Sequence, residues 1–375
     1  MEITGIICEY NPLHHGHKKQ LQAVREQFPG GGIVCLMSGN FVQRGAPAIL
    51  DKSLRAKAAV LCGADLVLEM PVTASLSSAE GFASKGVRIL SGFCNNLCFG
   101  AETGSAESLM ETAQKLLSPV FTKALRVQLD KGLSFPAARQ SAVGSDLLTR
   151  PNDILAVEYC KAILTQNSKL TPVVIRREGN YHDTTPDQEN PSATAVRNLM
   201  LESGAWLDYV PEEARACFAG ATVHTMALGE KAVLARLRCM TEREFETLPH
   251  GSEGLWRKFM HAVREMATVE DILTAVKSKR YTRTRLDRML MCAFLGIPRE
   301  MLNSPAPYVR VLAFNDKGRE ILKEARKAGQ FINTGEITGT EYEILEHRCG
   351  ALYNLFAESP EPPDSESTRR VTYIS

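Results

Sequence analysis

The chain has 375 residues, 44% hydrophobic and 23% charged, a composition that excludes wholesale disorder and supplies enough apolar side chain for two domains. Its 44 Lys and Arg nearly balance 43 Asp and Glu, so the total of +1 neither favours nor excludes a polyanionic partner, and any basic surface must be local. No apolar run approaches the roughly 18 residues a membrane span needs. The ten cysteines contain no CxxC pair and no apolar leader follows the acidic start, which predicts a cytoplasmic chain with reduced thiols, no membrane contact and no protein-built metal site.

In chain order, ITGIICEY (3–10) reads as a buried strand that runs into a Pro- and His-rich turn and then a helical stretch, HKKQLQAVREQF. A second strand, GIVCLM (32–37), ends at SGNFVQRG, and LDKSLRAKAAVLCG follows with apolar positions spaced three and four apart. ADLVLEM, NNLCFG and TPVVIRR complete a series of strands separated by helices. The expected fold is therefore α/β, a Rossmann-like doubly wound parallel sheet over residues 1–200 with ligands at the strand C-terminal ends.

From about residue 201 to 358, segments such as EGLWRKFMHAVREMA and RTRLDRMLMCAFLGI carry helical periodicity, which predicts a mainly helical C-terminal domain. PAPYVRVLAFNDKGREILKEARKAG reads as strand, turn and helix and is expected to pack on that domain. The tail from Ser359 is rich in Pro, Ser and acids and is expected to be disordered through residue 375.

The chemistry-bearing motif is EYNPLHHGH (9–17), which places His14, Gly16 and His17 between the first strand and the first helix. A helix N-terminus presents free N–H groups and a positive dipole end, a glycine admits close backbone approach, and two imidazoles can donate to phosphate oxygens. A histidine cluster that only caps the helix, or a metal site, are the alternatives, and no neighbouring Cys or second His-bearing helix completes a ligand set. Phosphate handling is the favoured reading.

HxGH after the first strand resembles the nucleotidyltransferase superfamily. EYNPLHHGH, MSGNFVQRGAPA, GADLVLEMP, CFGAETG, PNDILAVEY, RREGNYHD and SATAVR, in this order over the first 200 residues, are similar to the tRNA(Met) cytidine acetate ligase family, apart from Leu13, His15 and Ala101, where the family more often has other residues. The resemblance implies a nucleotidyltransferase-type catalytic domain over 1–200 and a tRNA-binding domain over 201–358. The enzyme would be a ligase that turns ATP and free acetate into acetyl-adenylate and acetylates N4 of the wobble cytidine of elongator tRNA(Met), releasing AMP and pyrophosphate. It implies ATP contacts at Ile7, Cys8, Glu9, Tyr10, Asn11, Pro12, Leu13, His14, His15, Gly16, His17, Lys18, Lys19 and Gln20, and at Gly100, Asn152 and one of Arg176 and Arg177. Mg²⁺ is expected through the nucleotide.

Each of these positions also has a plainer reading: a turn glycine at Gly100, an N-cap at Asn152, surface charge at Arg176 and Arg177, a buried strand residue at Cys8. In SATAVR, Ser192 or Thr194 can cap a helix while Arg197 reaches phosphate, which makes His14, His17 and Arg197 the expected catalytic residues. Ser38, Asn40, Gln43 and Arg44 belong either to a loop facing acetate or tRNA or to a structural turn.

Residues 231–330 hold 20 Lys and Arg against 12 Asp and Glu, a local +8, with six bases in KSKRYTRTRLDR (277–288). Lys277, Lys279, Arg280, Tyr281, Arg283 and Arg285 are the expected tRNA contacts, a solvated helix face being the plainer reading. A small-molecule adenylyltransferase would have no use for this basic half, and a non-catalytic RNA-binding protein would have no use for HxGH.

Overall fold

The computed structural model describes residues 1–176, 190–202, 204–328, 331–333, 339–363 and 369–375. The strands are β1 (Ile3–Cys8), β2 (Gly32–Ser38), the short hairpin partners β3 (Phe41–Val42) and β4 (Ala46–Pro47), β5 (Leu66–Met70), β6 (Asn96–Ala101), β7 (Thr171–Arg176), β8 (Val309–Phe314), β9 (Phe331–Asn333) and β10 (Thr372–Tyr373). Eight of them form one sheet in the order β10-β8-β5-β2-β1-β6-β7, with β9 also on β8. Every pairing in it is parallel except β5 with β8.

The strand sequences explain this arrangement. GIVCLMS in β2 is buried at every position, as a central parallel strand with helices on both faces must be. Successive connections run outward from β1 in both directions, so the strand order reverses between β1 and β6. Their carboxyl ends open a crevice there, the place where open α/β sheets bind ligands. The expected α/β fold is the observed one, and long helices such as Leu255–Glu265 and Arg283–Leu295 dominate the residues after 201.

Two expectations are corrected. VRVLAF, expected to pack on the helical half, is β8 and extends the main sheet antiparallel to β5, because Val309–Ala313 are all buried and β5 offers an apolar edge. The sheet thus takes strands from both sides of residue 200. The tail from Ser359 is ordered at its end: Thr372–Tyr373 pairs with Ala313 and Phe314, Ile374 N–H donates to the Phe314 carbonyl at 3.0 Å, and Arg369 forms an ion pair with Asp51. Composition averaged over the tail hid a β-branched, aromatic end, Val371 to Ile374. No helix among the described residues is long and apolar enough to cross a membrane.

Candidate functional site

A cavity of about 680 Å³ opens over the carboxyl ends of β1 and β6. The helix His15–Gln27 begins beside it with His14 as its N-cap, so all of HxGH lies on the cap and first turn. The carbonyl of His14 accepts the N–H groups of His17 at 2.9 Å and Lys18 at 3.3 Å, while the His14 N–H donates to Nδ1 of His17 at 3.3 Å. A neutral His17 that accepts at Nδ1 carries its proton on Nε2, so it is a donor at that atom. The two imidazoles stack with centroids 3.7 Å apart and planes 25° from parallel. His14 is the inner ring, 1% exposed. A Cβ on Gly16 would lie 3.2 Å from Cε1 of His14, so this glycine leaves room for a histidine as well as for a ligand.

The expected ATP stretch divides by direction. Ile7, Cys8, Glu9, Tyr10, Asn11, His14, Gly16, His17, Lys19 and Gln20 line the cavity, whereas Pro12, Leu13, His15 and Lys18 do not. Leu13 is in the core, His15 Nε2 lies 3.1 Å from the Asp208 carbonyl, and Lys18 pairs with Glu213. Burial pushes the Cys8 thiol and the Tyr10 phenol up, so neither is a nucleophile at neutral pH.

Arg197 closes the turn from the other side. It lies on the helix Ala193–Leu201, which Ser192 caps by accepting the Ala195 N–H at 3.0 Å; the capping residue is Ser192, and Thr194 instead accepts from Arg197 at 3.1 Å. Nη1 of Arg197 donates to the Asn11 carbonyl at 2.7 Å, and Asn11 Oδ1 accepts the Ile49 N–H at 2.7 Å. Burial, reinforced by nearby Arg44 and opposed by Glu9, brings the Arg197 guanidinium down to about 10, so it remains a cation at neutral pH. Ser192, Thr194, Arg197 and Arg44 all line the cavity, where a second helix N-terminus adds its dipole to that of His15–Gln27.

Gly100 and Arg176, at the ends of β6 and β7, line the opposite wall together with Phe99 and Tyr159. Arg177 lies outside the described residues, as does most of RREGNYHD. Asn152 lines the cavity from the first turn of Pro151–Thr165, and its Nδ2 donates to Glu102 at 2.6 Å. The expected N-cap role falls to another position, because Asn152 is the second residue of that helix and Arg150 is its cap. Ser38 and Asn40 are buried, Asn40 Oδ1 accepting the Lys52 N–H at 3.1 Å, whereas Gln43 and Arg44 reach the cavity. Gly45 beside them has φ +79° and touches the backbone of Asp287 and Arg288, so no side chain fits where this loop meets the helix Arg283–Leu295.

Of the basic run, Arg283 is held by both oxygens of Glu270 at 2.7 Å and by Asp287 at 2.8 Å, and Arg280 by Glu253 at 2.9 Å. Arg285 donates to the His250 carbonyl at 3.0 Å and lies over the Tyr281 ring at 5.0 Å. Lys277 and Lys279 are exposed.

Three supporting residues escaped the sequence reading. Arg55, with 0% exposure, donates from Nε to Leu50 O at 2.8 Å, from Nη1 to Glu9 O at 2.6 Å and Ser38 O at 3.0 Å, and from Nη2 to Gly39 O, which ties the ends of β1 and β2 together. Burial lowers its affinity for its proton, and Asp51 and Glu9 nearby oppose that shift. An arginine among the alanines of a buried helix stripe was the available signal. Asp153 accepts the N–H groups of Glu102 at 2.7 Å and Thr103 at 3.2 Å and so fixes the loop after β6. His224 also lines the cavity, its ring stacked 4.0 Å from Tyr353, and lowered by burial it is neutral at pH 7.

The lining is thus rich in donors and cations, as a polyanion requires. No group of three metal-ligating side chains occurs among the described residues, and Glu9 is the single carboxylate among those that line the cavity. A divalent ion fits here only if its ligands come chiefly from a bound triphosphate.

A model of the HIGH nucleotidyl transferase family matches residues 1–366. The tRNA(Met) cytidine acetate ligase of Clostridium novyi (strain NT) is 37% identical over 351 residues, 87% of this chain and 88% of its own, and that of Clostridium acetobutylicum is 34% identical over 393 residues, 97% and 98%. Among solved structures, Thermotoga maritima TmcAL (apo, form I) superposes with a TM-score of 0.92 at 30% identity, covering 100% of both chains. The same protein bound with alpha-thio ATP (form II) gives 0.88 at 29%, covering 100% of this chain and 99% of its own.

Proposed function

The chain belongs to the tRNA(Met) cytidine acetate ligase family within the HIGH nucleotidyl transferases, and from that premise we propose that it joins acetate to N4 of the wobble cytidine of elongator tRNA(Met) at the cost of ATP. It is an ATP-dependent ligase acting on tRNA. The observation that carries the finer reading is the stacked His14–His17 pair at one helix N-terminus with Arg197 from a second, both lining one cavity.

In the first step the acetate oxygen attacks the α-phosphorus of ATP, the bond to the bridging oxygen of pyrophosphate breaks, and acetyl-adenylate forms. Acetate is already ionised, so no general base is needed, and the protein's task is positioning and charge stabilisation. Nε2–H of His17 and the guanidiniums of Arg197 and Arg44 supply preorganised donors where negative charge builds. Mg²⁺, when carried in by the nucleotide, adds charge neutralisation. In the second step the cytosine amine attacks the acetyl carbonyl and AMP leaves. This amine is a weak nucleophile, which is the chemical reason for activating acetate as a mixed anhydride.

We place tRNA across the loop Gln43–Arg44 and the exposed Lys277 and Lys279, with Arg280 and Tyr281 beside them. Arg283 and Arg285 then shape that surface through their protein partners. The test is mass spectrometry of nucleosides from tRNA incubated with the protein and labelled acetate. Label in N4-acetylcytidine that requires ATP supports the reading; transfer from acetyl-CoA without ATP refutes it.

A further inference from the structure

A cavity built for a triphosphate has an electrostatic reason to avoid carboxylates, yet Glu9 lines it among His14, His17, Lys19, Arg44, Arg176 and Arg197. Part of its role is structural. Oε1 accepts the Gln43 N–H at 2.7 Å, which holds the β3–β4 loop over β1, and its backbone carbonyl accepts from Arg55. Both jobs are met by any acceptor of that shape, and neither needs a negative charge or the second oxygen. Among the described residues Gln43 N–H is the one hydrogen-bond donor on this carboxylate, so Oε2 remains for a ligand.

The ligand group that suits it carries N–H bonds. Phosphates and acetate are anions and gain nothing from Glu9. The cytosine amine brings two N–H bonds and, as it attacks, becomes strongly acidic. His17 has spent its Nδ1 lone pair on the His14 N–H, and Arg44 and Arg197 have none to offer. We propose, on the basis of the ligase reading above, that Glu9 is the proton acceptor of the acetyl-transfer step. The N4–C bond to the acetyl carbon forms, the acetyl C–O bond breaks with its electron pair leaving on AMP, and one N4 proton passes to Glu9 and then to solvent.

Glu9→Gln preserves the acceptor for Gln43 and removes the base. Single-turnover transfer from added acetyl-adenylate to tRNA should fall about 10²-fold or more beyond whatever loss Glu9→Gln causes in acetate-dependent exchange of pyrophosphate into ATP, the usual scale for a lost general base. Glu9→Asp, which keeps a basic oxygen, should retain more transfer than Glu9→Gln. Equal loss of exchange and transfer would place Glu9 in nucleotide or metal binding and overturn the proposal, as would unchanged transfer or a better Gln than Asp variant. Wild-type protein that shows no acetate-dependent exchange at all would instead overturn the ligase reading.

Discussion

His17 rests face to face on His14, the outer ring half-buried and the inner one sealed. The two positions should therefore fail differently. His17→Ala removes one preorganised donor and should lower acetate-dependent pyrophosphate exchange by about 10² to 10³ with little change in melting temperature. His14→Ala should lose activity and also stability, because it opens space in the buried side of the turn. Thermal melts beside exchange rates distinguish the two, and equal melting temperatures would show that the inner ring does not support the turn.

Gly16→Ala tests the same stack from the backbone. The new methyl would press on the His14 ring at 3.2 Å and tilt it, and a displacement approaching 1 Å in such a site costs about 10² in rate. The expected outcome is a folded protein with kcat reduced; full activity would show that His14 has room to spare.

Arg55 is fully buried and holds four carbonyls, so Arg55→Met should destabilise by on the order of 3–5 kcal/mol by leaving buried acceptors unpaired. Urea denaturation measures this. A loss under 1 kcal/mol would mean that the acceptors find other donors.

His250 supplies a pH dependence. Burial first, then Arg288, opposed by the Leu76 carbonyl on its ring at 2.9 Å, with Arg285 and Lys85 adding to the depression, lowers it to about 4. Because the folded value lies below the unfolded one near 6.5, the unfolded chain binds the extra proton in between, and the contribution is complete above pH 6.5 and lost as pH falls towards 4. Denaturation at pH 7 and pH 4.5 should show a fall, of up to about 3 kcal/mol from this group, that His250→Gln reduces. An identical fall in the variant would assign the effect elsewhere.

The RNA surface is tested at Lys277 and Lys279, whose charges are exposed where those of Arg280 and Arg283 are matched by acids. Replacing both with Ala should lower the slope of log K against log salt by about 0.7–0.9 per lost phosphate contact while pyrophosphate exchange persists. An unchanged slope places the RNA on another face.

What the sequence disclosed follows distance along the chain. His14, Gly16 and His17 were legible because strand, turn and helix start are contiguous, and Ser192 because a cap acts three residues away. Arg55 and Asp153 were not, since Arg55 gathers carbonyls from the ends of two strands, Glu9 among them 46 residues off, Asp153 holds Glu102 51 residues off, and a sheet has to form before they meet. The basic run was legible as charge, but the pairing of Arg283 with Glu270 depends on how two helices pack. VRVLAF was correctly read as a strand and assigned the wrong neighbour, because an apolar hexapeptide does not state which edge it will cover.

That edge has a consequence for synthesis. Leu66–Met70 leaves the ribosome early, yet its antiparallel neighbour Val309–Phe314 emerges some 240 residues later, roughly 10 to 50 s at ordinary elongation rates. Throughout that interval a nascent sheet of apolar parallel strands presents an open hydrogen-bonding edge, the geometry that invites pairing with another chain. The growing polypeptide is thus most at risk of aggregation while its nucleotide cavity is already half built, and a chaperone or slow local translation before residue 309 would act at that moment.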